Sequence, residues 1–163
     1  MRVIIPRAGS GAGKSTWLKI NHPDAYIVSA DKFFMDNGEY KFDRMKLGEA
    51  HSACKREFID FCQSHESADD DIVLAVDNTN TRLVEFAIYI DVADAYGHKV
   101  EISTFIYDPV AAWQRNTHGT PLEVCMAQHM RLEAETLAIP SWWRHNYVIW
   151  NQPWSPTSPG GDN

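Results

Sequence analysis

The sequence predicts an α/β fold, a parallel five-stranded sheet with helices on both faces, and three observations lead there. A glycine-rich run over residues 8–16 directly follows a short apolar segment. Residues 72–76 are an uninterrupted apolar stretch of strand length, the pattern of a strand covered on both faces. Strand-length apolar runs and segments of helical periodicity alternate along the rest of the chain, the order that builds a parallel sheet.

Taken from the N-terminus, Val3, Ile4, Ile5 and Pro6 form the first strand, and Trp17 to Ile20 lie on the helix that follows the glycines. Residues 26–29 are a second strand. From Asp43 to about Ser64, Leu47, Ala50, Cys54, Phe58 and Phe61 recur at intervals of three and four, which marks an amphipathic helix. Asp69, Asp70 and Asp71 break it, and residues 72–76 follow as a strand expected to be central. Leu83, Phe86, Ala87, Ile90 and Ala93 mark a further helix that stops at Gly97. Residues 100–107 are the next strand. Thr120, Pro121 and Glu123 supply a cap, a proline at the first helical position and a glutamate three residues after the cap, so a helix is expected from there to about Ala138. Residues 147–150 are the last strand. Three prolines and two glycines in residues 153–163 read as a disordered tail.

The totals suit one compact domain, with 163 residues, 44% of them hydrophobic. No apolar run approaches the ~18 residues of a membrane helix, and the start is too short for a signal peptide, so the expected location is the cytoplasm. Cys54, Cys62 and Cys125 are widely spaced and odd in number, which excludes a disulfide or zinc framework and leaves buried thiols. A net charge of −7 argues against a protein that wraps long duplexes. The charge is uneven, +2 over residues 1–60 and −9 over residues 61–163, so an anionic ligand belongs with the N-terminal part.

That part holds the strongest motif. Ala8-Gly9-Ser10-Gly11-Ala12-Gly13-Lys14-Ser15-Thr16 reads as a phosphate-binding loop between strand and helix, with Ala8 where the consensus has glycine. The glycines let the backbone curl into an anion nest, Lys14 can reach the β- and γ-phosphates of ATP, and Ser15 can ligate Mg²⁺. Asp31 follows the second strand at the carboxyl edge where such sheets bind ligands. It reads either as the carboxylate that orients or deprotonates an acceptor hydroxyl, or with Ser29 as a cap of a short helix through Phe34. Asp77-Asn78-Thr79-Asn80 leaves the most apolar strand, placing Asp77 to hold a Mg²⁺-bound water and Asn78 a substrate oxygen, while Asn80 or Thr81 is expected to cap the next helix. Arg115, in the connection 115–121 between two helices, suits a lid supplying a guanidinium to the γ-phosphate, or else is a solvated surface arginine. Gly38-Glu39-Tyr40-Lys41-Phe42-Asp43-Arg44 interleaves rings and bases, so Tyr40 and Arg44 suit stacking on a base and pairing with a phosphate, or else a surface turn tucks the rings inward. His118 and the tryptophans receive no role.

Together these motifs resemble the polynucleotide kinase branch of P-loop kinases, and especially the NEDD-binding-protein-like AAA-type ATPase domains, over about residues 2–150. The resemblance implies a single P-loop kinase domain over residues 1–152, the loop strand at the centre of the sheet, Asp31 as general base and Arg115 as lid arginine. Two positions depart from the pattern. Phage polynucleotide kinases carry an arginine three residues after the catalytic aspartate, where this chain has Phe34, and a second lid arginine where it has Gly119. The ATP half therefore matches better than the acceptor half. The expected activity is transfer of the γ-phosphate of ATP, with Mg²⁺, to a nucleic-acid hydroxyl, most simply in DNA: a 5′ end or the hydroxymethyl group of a modified base, as in related phage kinases. A nucleoside or small-metabolite kinase and a non-catalytic ATP-binding interaction module remain the alternatives.

Overall fold

The computed structural model describes residues 1–66, 71–117 and 119–150. The expected tail at 153–163, His118, and Asp69 and Asp70 lie outside the described residues. The elements in order are β1 (Arg2–Arg7), α1 (Lys14–Asn21), β2 (Tyr26–Val28), β3 (Met35–Asp36), β4 (Glu39–Tyr40), α2 (Leu47–Ser64), β5 (Val73–Val76), α3 (Leu83–Ala95), β6 (Lys99–Ile106), α4 (Pro109–Gln114), α5 (Leu122–Thr136) and β7 (His145–Ile149).

Five strands form one parallel sheet in the order β2-β5-β1-β6-β7, with Ile4 of β1 opposite Ala75 on one side and Glu101 on the other. The middle place belongs to β1, the strand that feeds the glycine-rich loop. β5, expected to be central, lies beside it, and all four of its residues are buried. Alternation along β1 divides the core into two layers. Val3 and Ile5, with Val28, Leu74 and Val76, face α2 and α3 through Ala50, Cys54, Phe58, Phe86 and Ile90. Ile4, Val73 and Ala75 face Leu18 of α1 on the opposite side. Helices thus cover both faces, and all five strands end with their carboxyl edges on one rim. Among the described residues no helix is long and apolar enough to cross a membrane. The three cysteines are buried and unpaired with one another.

Several boundaries differ from the sequence-based expectation for local reasons. The segment after Asp43 opens as a 3-10 turn, Arg44–Lys46, because the Asp43 carboxylate accepts from the Met45 amide at 2.9 Å; α2 starts only at Leu47. The N-cap of α5 is Pro121, not Thr120: its extended backbone aims its carbonyl at the amides of Val124 and Cys125, and α5 ends at Thr136. Neither Asn80 nor Thr81 caps α3. The cap residue is Arg82, whose amide donates to Glu85 at 3.1 Å, while Glu135 of α5 accepts from the Leu83 amide at 3.0 Å. The hairpin β3–β4 was not anticipated. Its turn residues Asn37 and Gly38 both have positive φ, 50° and 85°, the pairing that a tight two-residue hairpin favours.

Candidate functional site

Three connections leave the carboxyl ends of β1, β2 and β5 side by side, and hydrogen bonds lace them together. The Ala8 amide donates to the Thr79 carbonyl at 3.1 Å, and the Asp77 amide to the Val28 carbonyl at 2.9 Å. The Ser29 hydroxyl donates to the Asp77 carbonyl at 2.9 Å, and the Ala30 amide to the Asn78 carboxamide oxygen at 2.9 Å. The Asn78 amide also reaches Cys54 Sγ at 3.5 Å. Asn78, expected near a substrate oxygen, thus has both ends of its carboxamide engaged inside the protein and fastens the turn that carries Asp31.

Lys14 is buried along the inner side of the loop, and its ammonium donates to the carbonyls of Ala8 at 3.0 Å and Gly9 at 3.2 Å. Burial pushes its pKa down, while the carboxylates of Asp77 and Asp31 push it back up. One ammonium and two carboxylates drawn from three sequence segments therefore share one field. Ser15 and Thr16 stand exposed on the first turn of α1, where helix geometry leaves the leading amides without intrahelical acceptors. Those amides, with Gly11 and Gly13 before them, are the end of the loop with backbone donors left for a ligand. The amides of Ala8, Gly9 and Ser10 serve elsewhere: Gly9 donates to the Tyr107 hydroxyl and Ser10 to Gln128 Oε1, both at 2.8 Å.

Asp31 lies in a 3-10 turn, Ala30–Phe34, whose cap is Ser29: the Ser29 hydroxyl accepts from the Asp31 amide at 3.2 Å. The Asp31 carboxylate is therefore not the cap. It is exposed and accepts from the Tyr40 hydroxyl at 3.1 Å. Burial, then the Asp31 charge, lift the Tyr40 pKa to about 12, so the phenol remains a donor. The β3–β4 hairpin thereby delivers Tyr40 to Asp31, and Phe42 lies nearly parallel to Tyr40 over the buried ring of Phe34. Phe33 and Phe42 keep 41% and 55% of their surface exposed, so apolar ring area stands beside the carboxylate. Arg44 is exposed farther along the same segment.

The segment bearing Arg115 packs on the loop. A side chain at Gly11 would stand 1.9 Å from the Ala112 carbonyl oxygen and 3.3 Å from Asn116 Cα, so α4 lies against the loop backbone there. The Arg115 amide caps α4 on the Ala112 carbonyl at 3.2 Å, and Asn116 Nδ2 reaches the Thr120 carbonyl at 3.5 Å.

The α4–α5 segment thus packs on the loop at Gly11, and the loop's lysine feels the charges of Asp77 and Asp31. The model of the AAA domain family matches residues 9–135, well over half of the chain. The chain belongs to that family. It is 30% identical over 128 residues to NEDD4-binding protein 2 of Homo sapiens, covering 74% of this chain but 7% of the human protein. The fold is shared with a gluconokinase from Sinorhizobium meliloti 1021 (TM-score 0.57, 13% identity, 93% of this chain and 83% of that one). It is shared too with a chain of the AvrRxo1-ORF1:-ORF2 complex with ATP (TM-score 0.57, 17% identity, 84% and 48%). The architecture is that of P-loop kinases.

Arg7 escaped the sequence reading. This family member buries it completely at the end of β1, where the guanidinium donates to the carbonyls of Asn80 and Thr81 and to the hydroxyls of Thr104 and Thr136. It also lies 4.6 Å over the Phe86 ring. An arginine ending an apolar strand was the available signal. Tyr107 and Gln128 carried none.

Proposed function

We propose that this domain is a kinase of the polynucleotide kinase type, transferring the γ-phosphate of ATP to a nucleic-acid hydroxyl, with residues 1–152 as one catalytic domain. The observation that carries the reading is the buried Lys14 ammonium held on the Ala8 and Gly9 carbonyls of the glycine-rich loop, with the charges of Asp77 and Asp31 acting on it. The amides of Gly11 and of residues 13–16 hold the phosphates, and Lys14 swings from the Ala8 and Gly9 carbonyls to the β- and γ-phosphate oxygens. Asp31 accepts the proton of the acceptor hydroxyl, and the Tyr40 hydroxyl fixes the carboxylate's direction. Arg115, on the segment packed against Gly11, offsets charge on the moving phosphoryl group.

Among the described residues no three His, Cys, Asp or Glu side chains gather as a metal site. The oxygens of Ser15, next to Lys14 in the chain, and of Asp77, whose charge acts on Lys14, instead suit a hard cation shared with the nucleotide. Mg²⁺ bound there would offset phosphate charge.

Exposed rings at Phe33 and Phe42 beside the half-buried Tyr40, with Arg44 beyond them, support a base next to the accepting hydroxyl, most simply in DNA, at a 5′ end or on a hydroxymethylated base. One observation favours a smaller acceptor such as a nucleoside. Lys41 is paired with Asp36 at 2.8 Å and Lys32 with Glu57 at 3.1 Å, so two of the lysines near Asp31 are already neutralised by the protein's own carboxylates. Competing oligonucleotides, hydroxymethylated DNA and nucleosides for labelled ATP separates these: phosphate on the oligomers supports the proposal, and phosphate on nucleosides alone replaces it.

A further inference from the structure

The loop has two amides that no phosphate can use, because side chains already hold them. Tyr107, just beyond β6, accepts from Gly9, and Gln128, on α5, accepts from Ser10. The fit is close: a Cβ on Gly9 would stand 2.6 Å from the Tyr107 oxygen and 3.2 Å from Gln128 Oε1. Burial lifts the Tyr107 pKa to about 12, so its oxygen remains a neutral acceptor across the working range. The Tyr107 ring is itself braced edge-on against His129 of α5, centroids 5.0 Å apart.

We infer that Tyr107 and Gln128 are positioning residues that make α5 a template for the phosphate-binding loop. The inference rests on the ATP-binding reading above, not on the identity of the acceptor. A glycine-rich stretch has many accessible conformations, and each one excluded before ATP arrives is ordering that binding need not supply. Here the first half of the loop is held from α5 and β6, and Gly11 is held from α4. The loop and the segment carrying Arg115 therefore form one packed unit, and the nest has its shape only where α5 is docked.

Amide hydrogen exchange of Gly9 and Ser10, read by NMR, tests the contacts directly. Tyr107→Phe should raise exchange at Gly9 alone, and Gln128→Met at Ser10 alone. Gln128→Glu, which keeps an acceptor oxygen, should restore protection at Ser10. ATP affinity by calorimetry should fall about 3- to 10-fold in Tyr107→Phe and Gln128→Met, the worth of one hydrogen bond each. The melting temperature without nucleotide should fall only by the few degrees that one hydrogen bond is worth. Unchanged exchange in both variants, or released amides with unchanged ATP affinity, overturns the inference. Should Gln128→Met fail to fold, Tyr107→Phe, which loses a single hydroxyl, decides alone. Neither readout needs phosphate transfer, so a wrong acceptor leaves the result intact.

Discussion

At the scale of single residues, the two readings of Asp31 separate once Ser29 is seen to be the cap. Because the Ser29 hydroxyl holds the Asp31 amide, Asp31→Asn leaves the turn its cap. The expected outcome is a fall in kcat of about 10²-fold or more with ATP affinity nearly kept, the scale of general-base catalysis. Single-turnover transfer and ATP binding measured on one preparation check it, and unchanged transfer would leave the site without a base. Tyr40→Phe should lower kcat less than Asp31→Asn, because it removes one donor from the carboxylate and leaves the ring over Phe34 in place. Lys14→Ala should abolish transfer at ordinary ATP concentrations while the melting temperature holds, since the Lys14 ammonium ties the loop to itself through the Ala8 and Gly9 carbonyls.

Elements were legible in the sequence wherever period and length agreed. The five strands, α2 and α3 follow from apolar runs and three-four spacing, because burial on one or both faces writes itself directly into the pattern. What the pattern missed was set by hydrogen bonds between elements. The α3 cap comes partly from Glu135, 52 residues away from Leu83 in the chain, and no local rule anticipates that. The β3–β4 hairpin has only two residues per strand, too few for alternation to register. The loop motif was legible as a phosphate site, yet its packing against α4 was not, since contact with the Ala112 carbonyl leaves no mark near Gly11 in sequence. That contact yields a prediction. Gly11→Ala combines a φ of +77° with a side chain 1.9 Å from a backbone oxygen, so it should displace α4 and weaken ATP binding far more than the φ penalty alone. Comparison with Gly38→Ala, also at positive φ but with open space around it, isolates the steric part.

Across the whole molecule, β1, the 77–82 connection, β6, β7 and α5 meet at one buried polar cluster. Thr104 accepts from Arg7 and keeps its own hydrogen for His145 Nε2, 2.9 Å away, which suits a neutral ring that accepts there. Burial pushes the His145 pKa below its ordinary value, and the neighbouring Arg7 charge pushes it further in the same direction. His22 is shifted the same way, by burial first and then by Arg2, with Glu101 opposing. In the unfolded chain both rings titrate near pH 6.5. Below that pH the unfolded state binds protons that the folded state refuses, so stability is full above about pH 6.5 and falls as the pH drops toward the lower folded values. The melting temperature should therefore be nearly level from pH 7 to 8 and decline as the pH falls below about 6.5, before most carboxylates titrate. His145→Gln, which can still accept from Thr104 but does not titrate, should flatten that decline while His22→Gln flattens its own share. If the slope in His145→Gln equals that of the parent, the imidazole is not held neutral at the cluster, and the link between β7 and the arginine that anchors the end of β1 has been misread.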